Sequence, residues 1–210
     1  MCSSDLNIKL YKVSTIYDNS SYTNQGSVFV YTYDSVSKRF ELEQVIGSKD
    51  PATNEKFGSK VKIDSDGTNT WLFVSSKNYL NDTGRVQIFR KTDNAWKYNN
   101  TPYLDFTNIS TGMFASVTFP SSLLTMTAGN MFGYDIDVLD GSDRLAVSAP
   151  FLNGGVVYIY NREGYTFELI QIIDAFTLVK GVTKSYTNDN YYLQDGDMLG
   201  YSLSLKTNHL

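Results

Sequence analysis

The sequence predicts an all-β fold assembled from repeated four-stranded units. The first observation is a strand pattern that opens on glycine and then alternates apolar residues with others. It occurs three times, at Gly26–Tyr31, Gly84–Phe89 and Gly155–Tyr160. A shared order of short strands at a long period is the signature of a repeat fold.

The second observation is what surrounds each of these strands. A Val-Ser pair lies upstream of each, and a further strand headed by an aromatic residue lies downstream. These markers are Val13-Ser14, Val74-Ser75, Val147-Ser148, Phe40, Trp96 and Phe167. The third observation is composition. Tyr, Asn, Ser, Thr and Asp are abundant, there are only four prolines, and no segment sustains a helical period with caps, which favours strands and turns.

A further alternating segment begins each unit. Phe57–Ile63 and Phe132–Val138 each lead into an Asp-Gly pair, and Leu199–Leu205 starts a third copy. Alternation of apolar and polar residues predicts a half-buried strand. Asp-Gly then predicts a tight hairpin, because glycine supplies the positive φ that such a turn requires. Each complete unit is therefore predicted to hold four short antiparallel strands.

Four strands per repeat indicate a blade of a β-propeller, so we interpret residues 1–210 as a single partial propeller. Its predicted parts are the last three strands of a blade (8–47), a blade (57–104), an inserted loop (105–131), a blade (132–174), a loop (175–198) and the first strand of a further blade (199–210). Closed propellers use roughly four to eight blades. We therefore expect the remaining blades to come from a longer parent chain or from other subunits.

The same alternation predicts the core. Phe57 and Phe132 are expected to pack at the start of each blade, where Gly58 and Gly133 allow close backbone approach. The apolar positions expected to face inward are Val28, Val30, Val61, Ile63, Val74, Val86, Ile88, Ile136, Val138, Val147, Val157 and Ile159.

These pieces resemble the FG-GAP repeat of integrin α-type β-propellers. Phe132-Gly133 is followed by Ser148-Ala149-Pro150, where that family has Gly-Ala-Pro. Gly154–Tyr160 then matches the family's Gly-x-Val-Tyr-Val-Tyr strand. The other full copy keeps Phe57-Gly58 but has Ser75-Ser76-Lys77 in place of Gly-Ala-Pro. The resemblance implies extracellular adhesion, a cell-surface protein or a virion appendage.

The resemblance also raises the question of calcium, which integrin-type blades often bind in an Asp-x-Asp-x-Asp-Gly loop. Asp64 and Asp66 in the first hairpin and Asp137 and Asp140 in the second are the candidate ligands. Neither loop has the full alternating run of acids, although calcium takes six to eight oxygens. An Asp-Gly turn explains these residues without a metal. We expect no cofactor, and a calcium-stabilised repeat domain is the alternative.

Tyrosines are the candidate contact residues for a protein or glycan partner. Tyr22 and Tyr79 fall in loops before the third strand of a unit. Tyr191 and Tyr192 fall in the loop that precedes the last Leu-Gly segment. These four lie outside the repeated strand pattern, so we interpret them as ligand contacts rather than as residues that fill the blades.

Several classes of function are disfavoured. The net charge is −4 without a basic stripe, which argues against a nucleic-acid partner. No stretch reaches the roughly 18 apolar residues of a membrane helix, so no membrane insertion is expected. Cys2 is the only cysteine and His209 the only histidine, so disulfides and histidine-based catalytic or metal sites lack their parts.

We therefore expect a non-catalytic binding or structural module that presents loops for protein or glycan contact. Its expected location is extracellular, at a cell surface or on a virion, although the first residues do not form a signal peptide. The alternative is the scaffold part of a secreted hydrolase whose catalytic residues lie outside this segment.

Overall fold

The computed structural model describes residues 11–15, 22–105, 125–141, 143–174 and 196–206, and this part of the protein is all-β. Its strands form three antiparallel sheets, within each of which consecutive strands are neighbours. The N-terminal sheet contains β1 (Tyr11–Thr15), β2 (Ser27–Asp34) and β3 (Arg39–Ile46). The central sheet contains β4 (Val61–Ser65), β5 (Thr70–Ser76), β6 (Arg85–Thr92) and β7 (Ala95–Leu104). The C-terminal sheet contains β8 (Ile136–Val138), β9 (Arg144–Ala149), β10 (Val156–Glu163) and β11 (Thr166–Ile173).

The turns between strands follow the glycine and aspartate pattern of the sequence. Gly67 and Gly141, in the predicted Asp-Gly hairpins, have φ of 85° and 92°, values that glycine adopts at low cost. In the described part of the chain the one helical element is α1 (Tyr79–Asp82), and Leu80 and Asn81 within it have left-handed backbone angles. Four consecutive antiparallel strands lie within each of the ranges 57–104 and 132–174.

The sheets pack face to face in chain order. We call the side of a sheet that turns toward the next sheet its forward face, and the opposite side its rear face. The first seam joins the forward face of the N-terminal sheet to the rear face of the central sheet, through Val28, Val30, Ile46, Phe57, Val61, Leu72, Val74, Phe89 and Trp96. The second seam joins the forward face of the central sheet to the rear face of the C-terminal sheet, through a larger cluster that includes Trp71, Phe73, Val86, Ile88, Phe132, Leu145, Val147, Tyr158 and Tyr160.

A repeated backbone contact, which we call the joint, locks each seam. A Cβ atom on Gly26 would lie 2.2 Å from the carbonyl oxygen of Phe57, and one on Gly84 would lie 2.0 Å from that of Phe132. The amide of Phe57 donates to Gln25 O at 2.7 Å, and that of Phe132 donates to Thr83 O at 2.8 Å. Glycine is therefore required at these positions because the next unit occupies the space of any side chain.

The residue before each Phe-Gly or Leu-Gly pair shares a second property. Lys56, Met131 and Met198 have φ of 54°, 54° and 57°, a left-handed conformation uncommon for residues other than glycine. A third joint accordingly forms at Gly155, whose Cβ would lie 2.1 Å from the backbone nitrogen of Leu199. The equivalent dipeptides are thus placed by one recurring backbone geometry.

Most predicted core residues are buried in one of the two seams, and Ile63 and Val138 pack half-buried at their margins. Val157 is buried as predicted and Ile159 is only half-buried, but neither side chain belongs to the second seam. On β10 the second seam is filled by Val156, Tyr158 and Tyr160, so the alternate residues point to the forward face. There Val157 is buried and lies next to the position of a Gly200 side chain, whereas Ile159 is half-buried.

The predicted connecting segments are described only in part. Residues 106–124 of the predicted 105–131 loop and residues 175–195 of the predicted 175–198 loop lie outside the described residues. Residues 199–206 are in the place of a first strand but carry no strand ladder in the described part of the chain. Their assignment to a further blade stays a prediction.

Candidate interaction surface

One end of the three sheets collects the loops between second and third strands and the connections between sheets. Because adjacent strands are antiparallel, the second strand of each sheet ends there and the third begins there. The loops that make this turn are 22–26, 77–84 and 150–155, and the connections between sheets arrive at the same end. We call this the joint end, since all three joints lie on it; the hairpin end is opposite.

An aromatic cluster stands at the joint end of the C-terminal sheet. The ring of Tyr134 lies 4.8 Å from that of Tyr201 and 5.6 Å from that of Phe151, between ring centroids. The ammonium of Lys77 lies 4.5 Å from the centre of the Tyr134 ring. Tyr201 is 55% exposed and Phe151 36% exposed. These four residues, Lys77, Tyr134, Phe151 and Tyr201, form the aromatic cluster.

The repeat geometry brings these side chains together. Tyr134 and Tyr201 each follow the glycine of a Phe-Gly or Leu-Gly pair, and their amides donate to Met131 O at 2.9 Å and Met198 O at 3.0 Å. The same tight turn therefore places both rings on the same end of the molecule. Ser59 occupies the corresponding position in the first unit, so the cluster forms only between the later units.

The cluster has a distinct electrostatic character. A hydrogen bond with Tyr201, followed by burial and by the charge of Asp135, raises the pKa of Tyr134 to about 12. Its phenol is therefore neutral at physiological pH, with the Lys77 cation over its face. A neutral, partly exposed aromatic platform beside a cation suits stacking against a sugar ring or a peptide side chain. It provides no activated nucleophile.

A buried polar cluster lies beside the first joint. Glu55 and Arg85 form an ion pair at 2.9 Å, and both side chains are at most 2% exposed. Ser48, Ser76 and Gln87 bond to the same carboxylate or to the guanidinium. Arg85 also donates to Asp50 O at 2.7 Å. These bonds fasten the 47–56 connection to the start of β6.

The predicted contact tyrosines have different surroundings. Tyr22 is 46% exposed in the loop before β2, as a contact residue requires. Tyr79 is half-buried, and the guanidinium of Arg85 lies 3.6 Å from its ring centre, so Tyr79 covers the buried ion pair. Tyr191 and Tyr192 lie outside the described residues. The structure places Tyr22 and Tyr79 on the joint end but on separate sheets.

The four candidate metal ligands lie toward the hairpin end and belong to two hairpins. Asp66 accepts bonds from the amides of Thr68 and Asn69 and pairs with Arg162 at 3.0 Å. Asp64 is half-buried on β4, whereas Asp140 is exposed in its turn.

Asp137 is likewise engaged. It pairs with Lys62 at 2.7 Å and accepts the amide of Leu205 at 2.6 Å. In the described residues no group of three or more His, Cys, Asp or Glu side chains is arranged to hold a metal ion. These carboxylates provide fewer converging oxygens than calcium takes, and calcium binding stays a prediction.

Comparisons with known proteins do not assign the chain: no protein-family model matches it, and no curated protein does. Within the described residues no helix is long and apolar enough to cross a membrane.

Sequence reasoning missed the aromatic cluster because its four members come from four separate segments of the chain. A signal was present, since tyrosine follows glycine in both Phe132-Gly133-Tyr134 and Leu199-Gly200-Tyr201. The partner of Arg85 was missed for the same reason: Glu55 is in a connection between units, where no strand period marks its orientation. Both sites depend on how consecutive units meet.

Proposed function

We propose that the chain is part of a β-propeller of FG-GAP-like blades and acts as a non-catalytic binding module. Its joint end presents loops to a protein or glycan at a cell surface, in the extracellular medium or on a virion. Three joints of one geometry and face-to-face packing of successive antiparallel sheets support the propeller arrangement. Such assemblies work through a composite surface built from several repeats.

The observation that carries the binding role is the aromatic cluster. Exposed aromatic rings that touch one another and carry a cation are unusual for a surface without a partner, because contiguous apolar area marks interaction sites. Tyrosine combines a rigid apolar face with a hydrogen-bonding tip, which suits contact with both peptides and sugars. The ligand is therefore expected to lie across Tyr134 and Tyr201.

A binding experiment tests this proposal. Fluorescently labelled protein is applied to cultured cells before and after enzymatic removal of surface glycans. We expect saturable binding that falls at least about tenfold in the variant Tyr134→Ala/Tyr201→Ala, the loss of about 1.4 kcal/mol that a single good contact supplies. Loss after deglycosylation identifies a glycan, and persistence identifies a protein.

Tyr165→Ala is the matched control, because Tyr165 is 43% exposed but lies in a β10–β11 hairpin at the opposite end. It should bind as the wild type does. Equal binding by the wild type and the double variant would refute the assignment of the cluster.

A further inference from the structure

The rear face of the N-terminal sheet is apolar and exposed. Val28 and Val30 enter the first seam, so the alternate residues of β2 point to the other side. There Phe29 is opposite Val45, Tyr31 is opposite Leu42 and Tyr33 is opposite Phe40. Leu42, Val45 and Phe40 are 52%, 49% and 46% exposed, a contiguous patch of the kind that marks an interface.

The same positions of the C-terminal sheet are buried. Counted from the opening glycine and through the same bulge in the strand pairing, the equivalents of Phe29, Tyr31, Phe40, Leu42 and Val45 are Tyr158, Tyr160, Phe167, Leu169 and Ile172. All five are at most 3% exposed, because they pack on the forward face of the central sheet. The exposed patch therefore corresponds to the side of a seam that packs against the forward face of another sheet.

The complementary half lies on the other side of the molecule. Residues 199–206 run along the forward face of the C-terminal sheet, fixed by the third joint and by Gly200, whose Cβ would lie 2.8 Å from Val157 Cγ2. The amides of Leu203 and Leu205 donate to Asp135 at 2.9 Å and to Asp137 at 2.6 Å. This segment is in the place of a first strand, while in the described residues no second strand lies beside it.

We propose that two copies of this chain associate head to tail through these halves. The rear face of the N-terminal sheet of one copy packs on the forward face of the C-terminal sheet of the other. Residues 199–206 of the second copy add to β1 as its first strand, which completes a four-stranded sheet. Such a contact is heterologous and closes into a ring when the rotation permits.

The number of sheets favours two copies. The described residues of each copy form three sheets, so two copies bring six described sheets to the ring, within the roughly four to eight of known propellers. The three described sheets of a single copy fall below that range. The inference rests on the repeated-sheet architecture proposed above but not on the ligand of the aromatic cluster.

The existing units specify the register of the new strand pair. Gly58 and Gly133 donate to Ser75 O at 3.0 Å and Ser148 O at 2.9 Å. The equivalent bond joins the amide of Gly200 of the second copy to Ser14 O of the first copy. Val61 is opposite Val74, and Ile136 is opposite Val147, so Leu203 of one copy is opposite Val13 of the other.

Light scattering coupled to size exclusion tests the association. The wild type should have twice the 23.6 kDa mass of one chain, whereas Leu42→Glu/Val45→Lys should have the mass of one chain with an unchanged circular dichroism spectrum. Val36→Lys, at a residue 89% exposed in the β2–β3 turn, is the control and should remain dimeric. A wild type that stays monomeric, or whose mass grows without limit, overturns the proposal.

Disulfide cross-linking tests the register. Val13→Cys/Leu203→Cys, made in a Cys2→Ser background, should form a covalent dimer under oxidation, because opposed strand residues have Cα atoms within disulfide reach. Neither single variant should cross-link alone, but an equal mixture of the two should. A disulfide within one chain would show closure of a single copy and refute the two-copy ring. Equal cell binding by the wild type and the aromatic-cluster variant would refute the binding role but would leave both of these readouts unchanged.

Discussion

Each of the two seams is held by a backbone joint of the same geometry, but the side chains that fill the two seams differ in chemistry. At the first seam the positions after the opening glycine of β6 are Arg85 and Gln87, which hold the buried carboxylate of Glu55. At the second seam the equivalent positions of β10 are Val156 and Tyr158, and the ring of Tyr158 packs 5.4 Å from that of Phe132. The close glycine contact therefore defines the repeat, and the side chains around it are free to differ.

The largest expected effect is at the joint itself. Gly84→Ala should reduce the free energy of unfolding by about 4 kcal/mol, because the new Cβ would meet the Phe132 backbone at a positive φ. Urea denaturation measures this. Gly67→Ala has a similar φ of 85° but open space around it, and it should cost only about 1 kcal/mol. Gly26→Ala should match Gly84→Ala; a large difference between these two would break the equivalence of the seams.

The next effect distinguishes the seams. Glu55→Ala should destabilise the protein by about 3–5 kcal/mol, since it leaves the Arg85 charge buried and unpaired. The triple variant Glu55→Asn/Arg85→Val/Gln87→Tyr introduces the residues at the equivalent positions of the second seam, Asn130, Val156 and Tyr158. It removes the buried charge altogether. Its loss of unfolding free energy should be smaller than that of Glu55→Ala alone. A triple variant that is less stable than the single one would show that the fillings are not interchangeable.

A pH effect should arise at the second seam. Burial opposes the ionisation of Asp137, but the hydrogen bond from Lys62, its charge and the amide of Leu205 together hold the pKa below its ordinary value. A lowered pKa in the folded state stabilises the protein above the unfolded-state value of about 3.9, and this contribution is lost as the pH falls through the folded value. The free energy of unfolding declines as the pH falls below about 4, and in Asp137→Asn this decline should be smaller by about 1 kcal/mol. The same pH dependence of the unfolding free energy in both proteins would contradict this prediction.

The smallest effect concerns the third joint. Tyr201→Phe removes the hydrogen bond that is the largest cause of the raised pKa of Tyr134, about 12. Spectrophotometric titration should show this pKa fall toward the ordinary value of about 10, with little change in stability because Tyr201 is exposed. Phe151→Leu, which leaves the hydrogen bond in place, is the control. If the pKa of Tyr134 is the same in Tyr201→Phe as in the wild type, the contact of residues 199–206 with the C-terminal sheet is contradicted.

Strand alternation and turn glycines predicted the elements of the fold well. The four strands of each full unit and the burial of Val86 and Val147 follow from local patterns, since a half-buried strand marks its own period. Alternation does not reveal which neighbour covers each face. Val86 and Val157 occupy equivalent positions, two residues after the opening glycine of the third strand. Val86 nevertheless faces the C-terminal sheet, whereas Val157 faces residues 199–206.

The candidate site was less accessible to sequence reasoning. Tyr22 was predicted as a contact residue because its loop lies outside the strand pattern, and its side chain is 46% exposed. Tyr134 was read only as part of a strand, since its exposure depends on the tight turn after Gly133 and on Phe151 arriving from another loop. Contacts between distant segments carry no period, so a single sequence offers no direct signal for them.

The joint has a consequence for how such chains change over time. The residues at each contact must keep their geometry, and the chain between two contacts is anchored at both ends. The 47–56 connection is short, whereas the interval from Asp105 to Met131 is much longer, yet the Gly84–Phe132 contact is as close as the Gly26–Phe57 contact. The joint itself therefore does not fix the length of a linker between neighbouring sheets, although the 47–56 connection is also held by its buried Glu55.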